Sequence, residues 1–252
     1  MTGTTLLLLH GFTGSGAAWA EHLAALEGRF EVLAADLPGH GTNREAASVE
    51  AAAEALATQL AGRSGGRPAH VLGYSLGARV ALRLAVAHPG LIDRLVLESP
   101  SAGIADPAER EARRRADERL ADDIERDGLV AFVDRWERNP VFASHAGLDP
   151  AAAARQRAIR LAQDPHGLAG SLRLAGQGAM EPLHDRLAEV RAPTLVIAGA
   201  LDPARPRAEL VAAGIAGARL VVIDGAGHTP HLERPEAFLA LVTDFLQEDA
   251  AA

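Results

Sequence analysis

Short apolar runs alternate with longer, alanine-rich helical patterns along most of the chain. Most of the apolar runs are continuous, which is typical of parallel strands buried on both faces. They cover residues 4–9, 31–35, 69–73, 91–97, 194–198 and 220–223. The helical patterns cover residues 17–27, 46–62, 76–87, 181–190, 206–214 and 235–246. This alternation predicts an α/β fold, with a mostly parallel sheet of about six strands and helices on both faces.

The alternation is interrupted between residues 100 and 180, where we find only helical patterns. They run through residues 107–127, 129–137, 150–162 and 166–175. A helical insertion between two strands of a parallel sheet predicts a cap over the carboxyl ends of the strands, where open α/β sheets bind ligands. We therefore expect two parts of one core, residues 1–100 and 181–252, separated by an all-helical cap, residues 101–180.

The segment Gly73-Tyr74-Ser75-Leu76-Gly77 joins an apolar run to a helical pattern. A G-x-S-x-G sequence in this position is typical of a nucleophile elbow, in which a sharp turn exposes the serine hydroxyl. A simple glycine-rich turn would give the same pattern, so the rest of the chain has to decide between them.

Two later residues favour the elbow. Asp202 follows one predicted strand, and His228 follows the next after a glycine turn. The chain order Ser75, Asp202, His228 is the nucleophile–acid–base order of an α/β-hydrolase, in which the imidazole takes the serine proton and the carboxylate orients the imidazole. Asp224 and His231 are the alternatives for the acid and the base.

An oxyanion hole is predicted beside Ser75. The segment His10-Gly11-Phe12 follows the first predicted strand, where this architecture places one loop of the hole. The backbone N–H groups of Phe12 and Leu76 would then bind a developing oxyanion.

Composition limits the chemistry and the partners. The chain has no cysteine, its 25 basic residues are all arginine, and its net charge is −8. Thiolate and Schiff-base catalysis are excluded, and we do not expect so acidic a chain to bind nucleic acid. No histidine pair has metal-ligand spacing, no apolar run is long enough to span a bilayer, and the first residues lack the basic region of a secretory signal. We expect no metal, no membrane insertion and a cytoplasmic location; oligomeric state is not predicted.

Several motifs together make the chain resemble the 2-succinyl-6-hydroxy-2,4-cyclohexadiene-1-carboxylate (SHCHC) synthase family, α/β-hydrolase-fold enzymes of menaquinone biosynthesis. The resemblance covers almost the whole chain. Its motifs are HGFTGSGAAW (10–19), DLPGHG (36–41), GYSLGAR (73–79), LESPSAG (97–103), RWERNPVF (135–142), GQG (176–178) and GAGHTPHLE (225–233).

The resemblance implies a lyase that eliminates pyruvate from an enolpyruvyl-cyclohexene carboxylate without a cofactor. The triad would correspond to Ser75, Asp202 and His228, with the serine acting as base. The substrate-binding residues would be Tyr74, Arg79, Arg113, Trp136, Phe142 and Arg160. Arg79, four residues after Ser75, would lie on the same helix face, and guanidinium groups suit a small anionic substrate because they bind carboxylates through paired N–H bonds.

The sequence departs from the family pattern in a few places. Ala78 replaces a glycine, His184 replaces a frequent tryptophan, and Arg205 stands in a segment that commonly carries Lys-Phe, so that a lysine contact is lost or moved to Arg205. Because the chain begins almost at the first strand, we expect no leading β-hairpin. The alternative functions are a serine esterase or carbon–carbon bond hydrolase of small carboxylated substrates, and a non-catalytic binding protein.

Overall fold

The computed structural model describes residues 4–248, which form an α/β fold around a six-stranded parallel sheet. The strand order is β2-β1-β3-β4-β5-β6. The strands are β1 (Thr5–Leu9), β2 (Glu31–Ala35), β3 (Ala69–Tyr74), β4 (Ile92–Glu98), β5 (Thr194–Gly199) and β6 (Arg219–Ile223). The predicted fold class is confirmed.

The helices lie between and around these strands. Within residues 4–248 they are α1 (Ala20–Glu27), α2 (Val49–Arg63), α3 (Leu76–Ala87), α4 (Pro107–Asp127), α5 (Leu129–Trp136), α6 (Pro150–Leu161), α7 (Pro165–Ala175), α8 (Arg205–Gly214), α9 (Pro230–Glu233) and α10 (Pro235–Gln247). None of these helices is both long enough and apolar enough to cross a membrane.

The order of the strands decides where loops meet. The chain passes from β1 to β2 on one side and then returns to add β3 on the other side of β1. The loops that follow β1 and β3 therefore leave the sheet in adjacent positions, at a topological switch point, where open α/β sheets form a crevice. Phe12 and Ser75 lie in these two loops.

The core has one apolar layer on each face of the sheet. Alternate residues of β1 divide between the layers: Leu7 and Leu9 pack with α2 and α3, whereas Leu6 and Leu8 pack with Trp19 and α10. The edge strands β2 and β6 are less buried than their apolar sequences suggest, because each has a neighbour on one side only.

Helices α4 to α7 lie between β4 and β5 in the chain, in the region where only helical patterns were found. Three of them begin with an Asp-Pro pair, in which the aspartate accepts a backbone N–H of the first turn and proline fits the first helical position. Phe132, Leu168 and Leu172 belong to a separate small core of this segment. The division at residues 100 and 180 stays a prediction, and residues 1–3 and 249–252 of the outer parts lie outside the described residues.

Some predicted bounds were wrong. The pattern at 181–190 forms only a short 3-10 helix, His184–Glu189, and the pattern at 17–27 divides into a 3-10 turn, Gly16–Trp19, followed by α1. A further 3-10 helix, Pro140–Gly147, was not predicted. Such short segments are held by tertiary contacts and carry little periodic signal of their own.

Candidate active site

Ser75 lies in a strained turn between β3 and α3. Its φ is 51° and its ψ is −102°, a backbone conformation that residues other than glycine rarely adopt. Both flanking glycines are required by space: a Cβ on Gly73 would overlap the backbone of Gly77, and a Cβ on Gly77 would overlap the backbone of Leu9. The turn is held further by the Gly77 N–H, which donates to the His10 carbonyl at 3.0 Å. The G-x-S-x-G sequence thus produces the sharp, close-packed turn of an elbow.

Ser75, His228 and Asp202 are joined by hydrogen bonds. The Ser75 Oγ lies 3.1 Å from His228 Nε2, and His228 Nδ1 lies 2.8 Å from Asp202 Oδ2. Burial raises the pKa of Asp202, but the hydrogen bonds from His228 and from the Ala204 N–H outweigh it, so the pKa lies below its ordinary value. The carboxylate is therefore ionised at neutral pH and fixes the imidazole with Nε2 toward the serine.

The two alternatives occupy different surroundings. His231 is buried, and its Nδ1 donates to Glu98 Oε1 at 2.8 Å. Asp224 is exposed in the turn after β6. The hydrogen-bonded set is therefore the one that contains Asp202 and His228.

The N–H groups of Phe12 and Leu76 make no hydrogen bond within residues 4–248, and both residues line the cavity that contains Ser75. His10 supports the Phe12 loop: its Nδ1 donates to the Gly11 carbonyl at 2.8 Å, and its Nε2 accepts the Leu37 N–H at 3.0 Å. Burial lowers the pKa of His10 to about 4, so the ring is neutral and serves as a structural support.

A cavity of about 470 Å³ opens above Ser75. Its walls come from the carboxyl ends of the strands and from the helical segment between β4 and β5. Its lining includes Arg79, Arg113 and Arg207 but no aspartate or glutamate within the described part of the chain. In a chain of net charge −8, this wall is locally cationic.

Arg79 is the most deeply placed of these arginines, at 7 % exposure. Its Nη1 donates to the Ala175 carbonyl at 2.6 Å, and no carboxylate pairs with it among residues 4–248. Burial first, and then the charge of Arg113, lower its pKa to about 10, which leaves it cationic at neutral pH. Arg113 is half-exposed and pairs with the buried Asp117 at 2.8 Å.

The three predicted aromatic residues line the same cavity: Tyr74, Trp136 and Phe142. The Tyr74 ring lies 5.6 Å from the His228 ring, and the Phe142 ring lies 6.3 Å from it. Trp136 packs edge-on to Phe12 at 5.3 Å, so that the helical segment contacts the candidate oxyanion loop directly.

Arg160 does not reach this cavity. It is buried behind Phe142, with its guanidinium 5.4 Å from the ring and its Nη1 donating to Glu137 at 3.0 Å. It lines a separate space of about 30 Å³, large enough for one water molecule. Its predicted contact with substrate therefore has no counterpart in the lining of the large cavity.

Sequence reasoning missed two residues of this site. Arg207 lines the cavity, whereas Arg205, the residue considered as a replacement for the family lysine, pairs with Glu209 at 3.1 Å. Glu233 is buried beside His228 and accepts the backbone N–H groups of Gly227 and Thr229, the two chain neighbours of His228. For Glu233, the available signal was a glutamate five residues after the histidine. For Arg207, only the residue at which α8 begins could have identified it.

No group of three or more histidine, cysteine, aspartate or glutamate side chains within residues 4–248 is arranged to hold a metal ion. The groups that the site offers for catalysis are a serine hydrogen-bonded to a histidine–aspartate pair, the N–H groups of Phe12 and Leu76, and a cationic wall.

The family model described as alpha/beta hydrolase family matches residues 6–241, and the chain belongs to that family. It is 32 % identical to the SHCHC synthase of Pectobacterium atrosepticum, over 96 % of this chain and 93 % of that protein. Within the larger family, the chain belongs to the SHCHC synthases.

The chain is also similar to a solved structure and to a relative with a different activity. The structure of MenH from S. aureus superposes with a TM-score of 0.93 at 32 % identity, covering 98 % of this chain and 94 % of that chain. A pimeloyl-[acyl-carrier protein] methyl ester esterase of Aeromonas hydrophila is 30 % identical over 97 % of this chain and 96 % of that protein. The predicted resemblance is confirmed, and an esterase is among the relatives.

Proposed function

We propose that this chain is a carbon–oxygen lyase of menaquinone biosynthesis that acts in the cytoplasm. It eliminates pyruvate from 2-succinyl-5-enolpyruvyl-6-hydroxy-3-cyclohexene-1-carboxylate and forms 2-succinyl-6-hydroxy-2,4-cyclohexadiene-1-carboxylate. Support comes from relatives that carry the synthase name over nearly the full length of the chain.

The observation that carries the proposal is the charge of the cavity wall. The substrate has three carboxylates, on the ring, the succinyl chain and the enolpyruvyl group. Arg79, Arg113 and Arg207 line the cavity with no acidic residue beside them in the lining. Guanidinium groups bind carboxylates through two parallel N–H bonds. Arg113 is already paired with Asp117, but a neutral ester would leave Arg79 and Arg207 without a carboxylate partner.

The reaction begins with loss of the proton on the ring carbon that bears the succinyl group. Ser75 Oγ takes this proton as its own passes to His228 Nε2, and Asp202 stabilises the imidazolium that results. The electron pair moves onto the succinyl ketone oxygen, where the amides of Phe12 and Leu76 can bind the enolate.

The elimination is then completed across the ring. As the ketone re-forms, the electron pair shifts through the ring double bond and expels enolpyruvate from the fifth carbon, which leaves a 2,4-diene. The leaving group takes a proton and becomes pyruvate, His228 returning the one it received. No water is consumed and no acyl-enzyme forms.

The test is to supply the purified protein with the enolpyruvyl substrate and to measure pyruvate with lactate dehydrogenase and the diene by its absorbance. We expect both products in equal amounts, and almost no turnover by Ser75→Ala. Absence of both products, together with rapid cleavage of nitrophenyl esters, would contradict the lyase.

The second candidate is a serine esterase, or a carbon–carbon bond hydrolase, acting on small carboxylated substrates. The esterase relative at 30 % identity favours it, as does a serine–histidine contact that serves nucleophilic attack as well as proton transfer. An acyl-enzyme trapped on Ser75, seen by mass spectrometry after mixing with a nitrophenyl ester of a carboxylic acid, would support this candidate.

A further inference from the structure

Arg207 and Gln177 meet at the mouth of the cavity. The Arg207 Nη1 donates to Gln177 Oε1 at 3.2 Å, and both residues line the cavity. They come from different parts of the chain: Gln177 follows α7 in the helical segment, and Arg207 lies in the first turn of α8. Neither residue takes part in the proton transfers proposed for Ser75 and His228.

Arg207 is exposed, and its charge has no protein counterion within the described residues, where its hydrogen-bond partner is a neutral amide. Its helix neighbour Arg205, by contrast, pairs with Glu209 at 3.1 Å. Its charge also acts on the deeper Arg79, whose pKa is lowered by burial first, then by Arg113, and in part by Arg207. These arginines therefore repel one another across the cavity.

The position of Arg207 in its helix adds to this cost. Helix α8 has no side-chain cap and no acidic residue in its first turn, which instead contains Arg205 and Arg207. Cations near a helix N-terminus are disfavoured because the helix dipole is positive there. A bound anion would remove both the repulsion and the unfavourable placement.

Gln177 is held in place by the glycines on either side of it. A Cβ on Gly176 would overlap Asp117, and a Cβ on Gly178 would overlap the backbone of Arg114. The segment therefore lies directly against α4, and the Gln177 amide is held where it meets Arg207. Its N–H₂ group donates no hydrogen bond within residues 4–248 and is available to a ligand.

We infer that Arg207 and Gln177 form a carboxylate subsite at the mouth of the cavity, which binds the outermost carboxylate of the substrate. The guanidinium supplies paired N–H donors and the amide supplies another. Arg79 binds a carboxylate deeper inside. This inference rests on the proposed function, since it takes a substrate with several carboxylates to occupy both positions at once.

The test uses the full chain carrying Ser75→Ala, so that binding is measured without turnover. The probe is 2-succinylbenzoate, a stable aromatic dicarboxylate, titrated calorimetrically and compared with its neutral dimethyl ester. We expect the dicarboxylate to bind and the diester to bind far more weakly. Adding Arg207→Gln should weaken dicarboxylate binding roughly 10-fold or more, because a charge-assisted contact is lost. Adding Arg205→Gln, two residues away on the same helix, should leave it unchanged.

Gln177→Glu separates a ligand subsite from a structural contact between the two parts of the chain. The new carboxylate would pair with Arg207 and strengthen that contact, but it would also neutralise the subsite. We expect weaker binding with an unchanged or higher melting temperature.

Unchanged affinity in both Arg207→Gln and Gln177→Glu would overturn the subsite and leave the lyase proposal intact. Failure of the Ser75→Ala parent to bind the dicarboxylate in preference to the diester would instead contradict the anionic substrate, and with it the proposed function.

Discussion

Glu233 holds the backbone on both sides of His228. Its carboxylate accepts the Gly227 N–H at 2.8 Å, the Thr229 N–H at 3.1 Å and the Thr229 hydroxyl at 2.8 Å. Glu233 is 8 % exposed and does not line the cavity, so it has no direct contact with a bound substrate. We therefore expect it to act as a positioning residue, through the orientation of the His228 ring.

Removing this carboxylate should affect the rate more than substrate binding. Glu233→Ala leaves two buried N–H groups without an acceptor, at about 1–3 kcal/mol each, so the free energy of unfolding should fall by about 2–6 kcal/mol. Glu233→Gln keeps one oxygen but turns an N–H₂ group toward the other donor, which should cost about 1–3 kcal/mol. A displacement of about 1 Å at His228 lowers kcat by roughly 100-fold.

The assay is steady-state pyruvate release by both variants, with urea unfolding measured on the same samples. We expect kcat to fall while KM stays within about threefold, because the arginine wall is unchanged. Glu236→Gln, at an exposed position in the first turn of the next helix, is the control and should leave kcat and KM unchanged. A Glu233→Gln enzyme that is less stable but has the original kcat would refute the positioning role.

Three further predictions concern the turn, the anion and acid pH. Gly77→Ala should lower both activity and melting temperature, because the new Cβ would overlap the backbone of Leu9 in β1. The control is Gly62→Ala on α2, where a Cβ meets open space; it should raise the free energy of unfolding by about 0.5–1 kcal/mol, measured by thermal unfolding. Arg79→Met should raise KM for the enolpyruvyl substrate roughly 10-fold or more, with a smaller change in kcat, in the pyruvate assay. Burial raises the pKa of Asp202 and of Glu233, but hydrogen bonds outweigh it, so both folded-state pKa values lie below the ordinary 3.8 and 4.5. Their contribution to stability is therefore complete above these ordinary values and is lost as the pH falls through the lower, folded-state values. Urea titrations at pH values from 7 to 3 should detect this loss.

The sheet and the elbow were predictable because their signals are local. Most strands are nearly continuous apolar runs, and the turn at Ser75 needs glycine at two fixed offsets. Chain order then brings the ends of separate strands together, since parallel strands place all their carboxyl ends at one edge. Ser75, Asp202 and His228 follow three such strands. Their hydrogen bonds could therefore be anticipated without knowing how the side chains pack.

The arginines were harder to predict because a helix turns by about 100° per residue. Arg205 and Arg207 are two residues apart and so point in nearly opposite directions, one toward Glu209 and the other into the cavity. Choosing between them requires the position at which α8 begins, which the sequence locates only to within a few residues. For Arg160 the deciding contact is Glu137, which lies on a different part of the helical segment and depends on how those helices pack.

Ser75 and the backbone N–H groups of Phe12 and Leu76 are compatible with both elimination and ester hydrolysis. Attack on an ester and removal of a proton beside a ketone each move negative charge onto a former carbonyl oxygen, so the N–H groups of Phe12 and Leu76 suit either transition state. A change from hydrolysis to elimination then requires no new catalytic group. It requires a substrate held with an acidic C–H, rather than a carbonyl carbon, nearest to Ser75. We expect the cationic wall to supply that selection, because it would hold the substrate by carboxylates that take no part in bond breaking. Under the proposed function, the choice of reaction would therefore depend on where the arginines hold the anion.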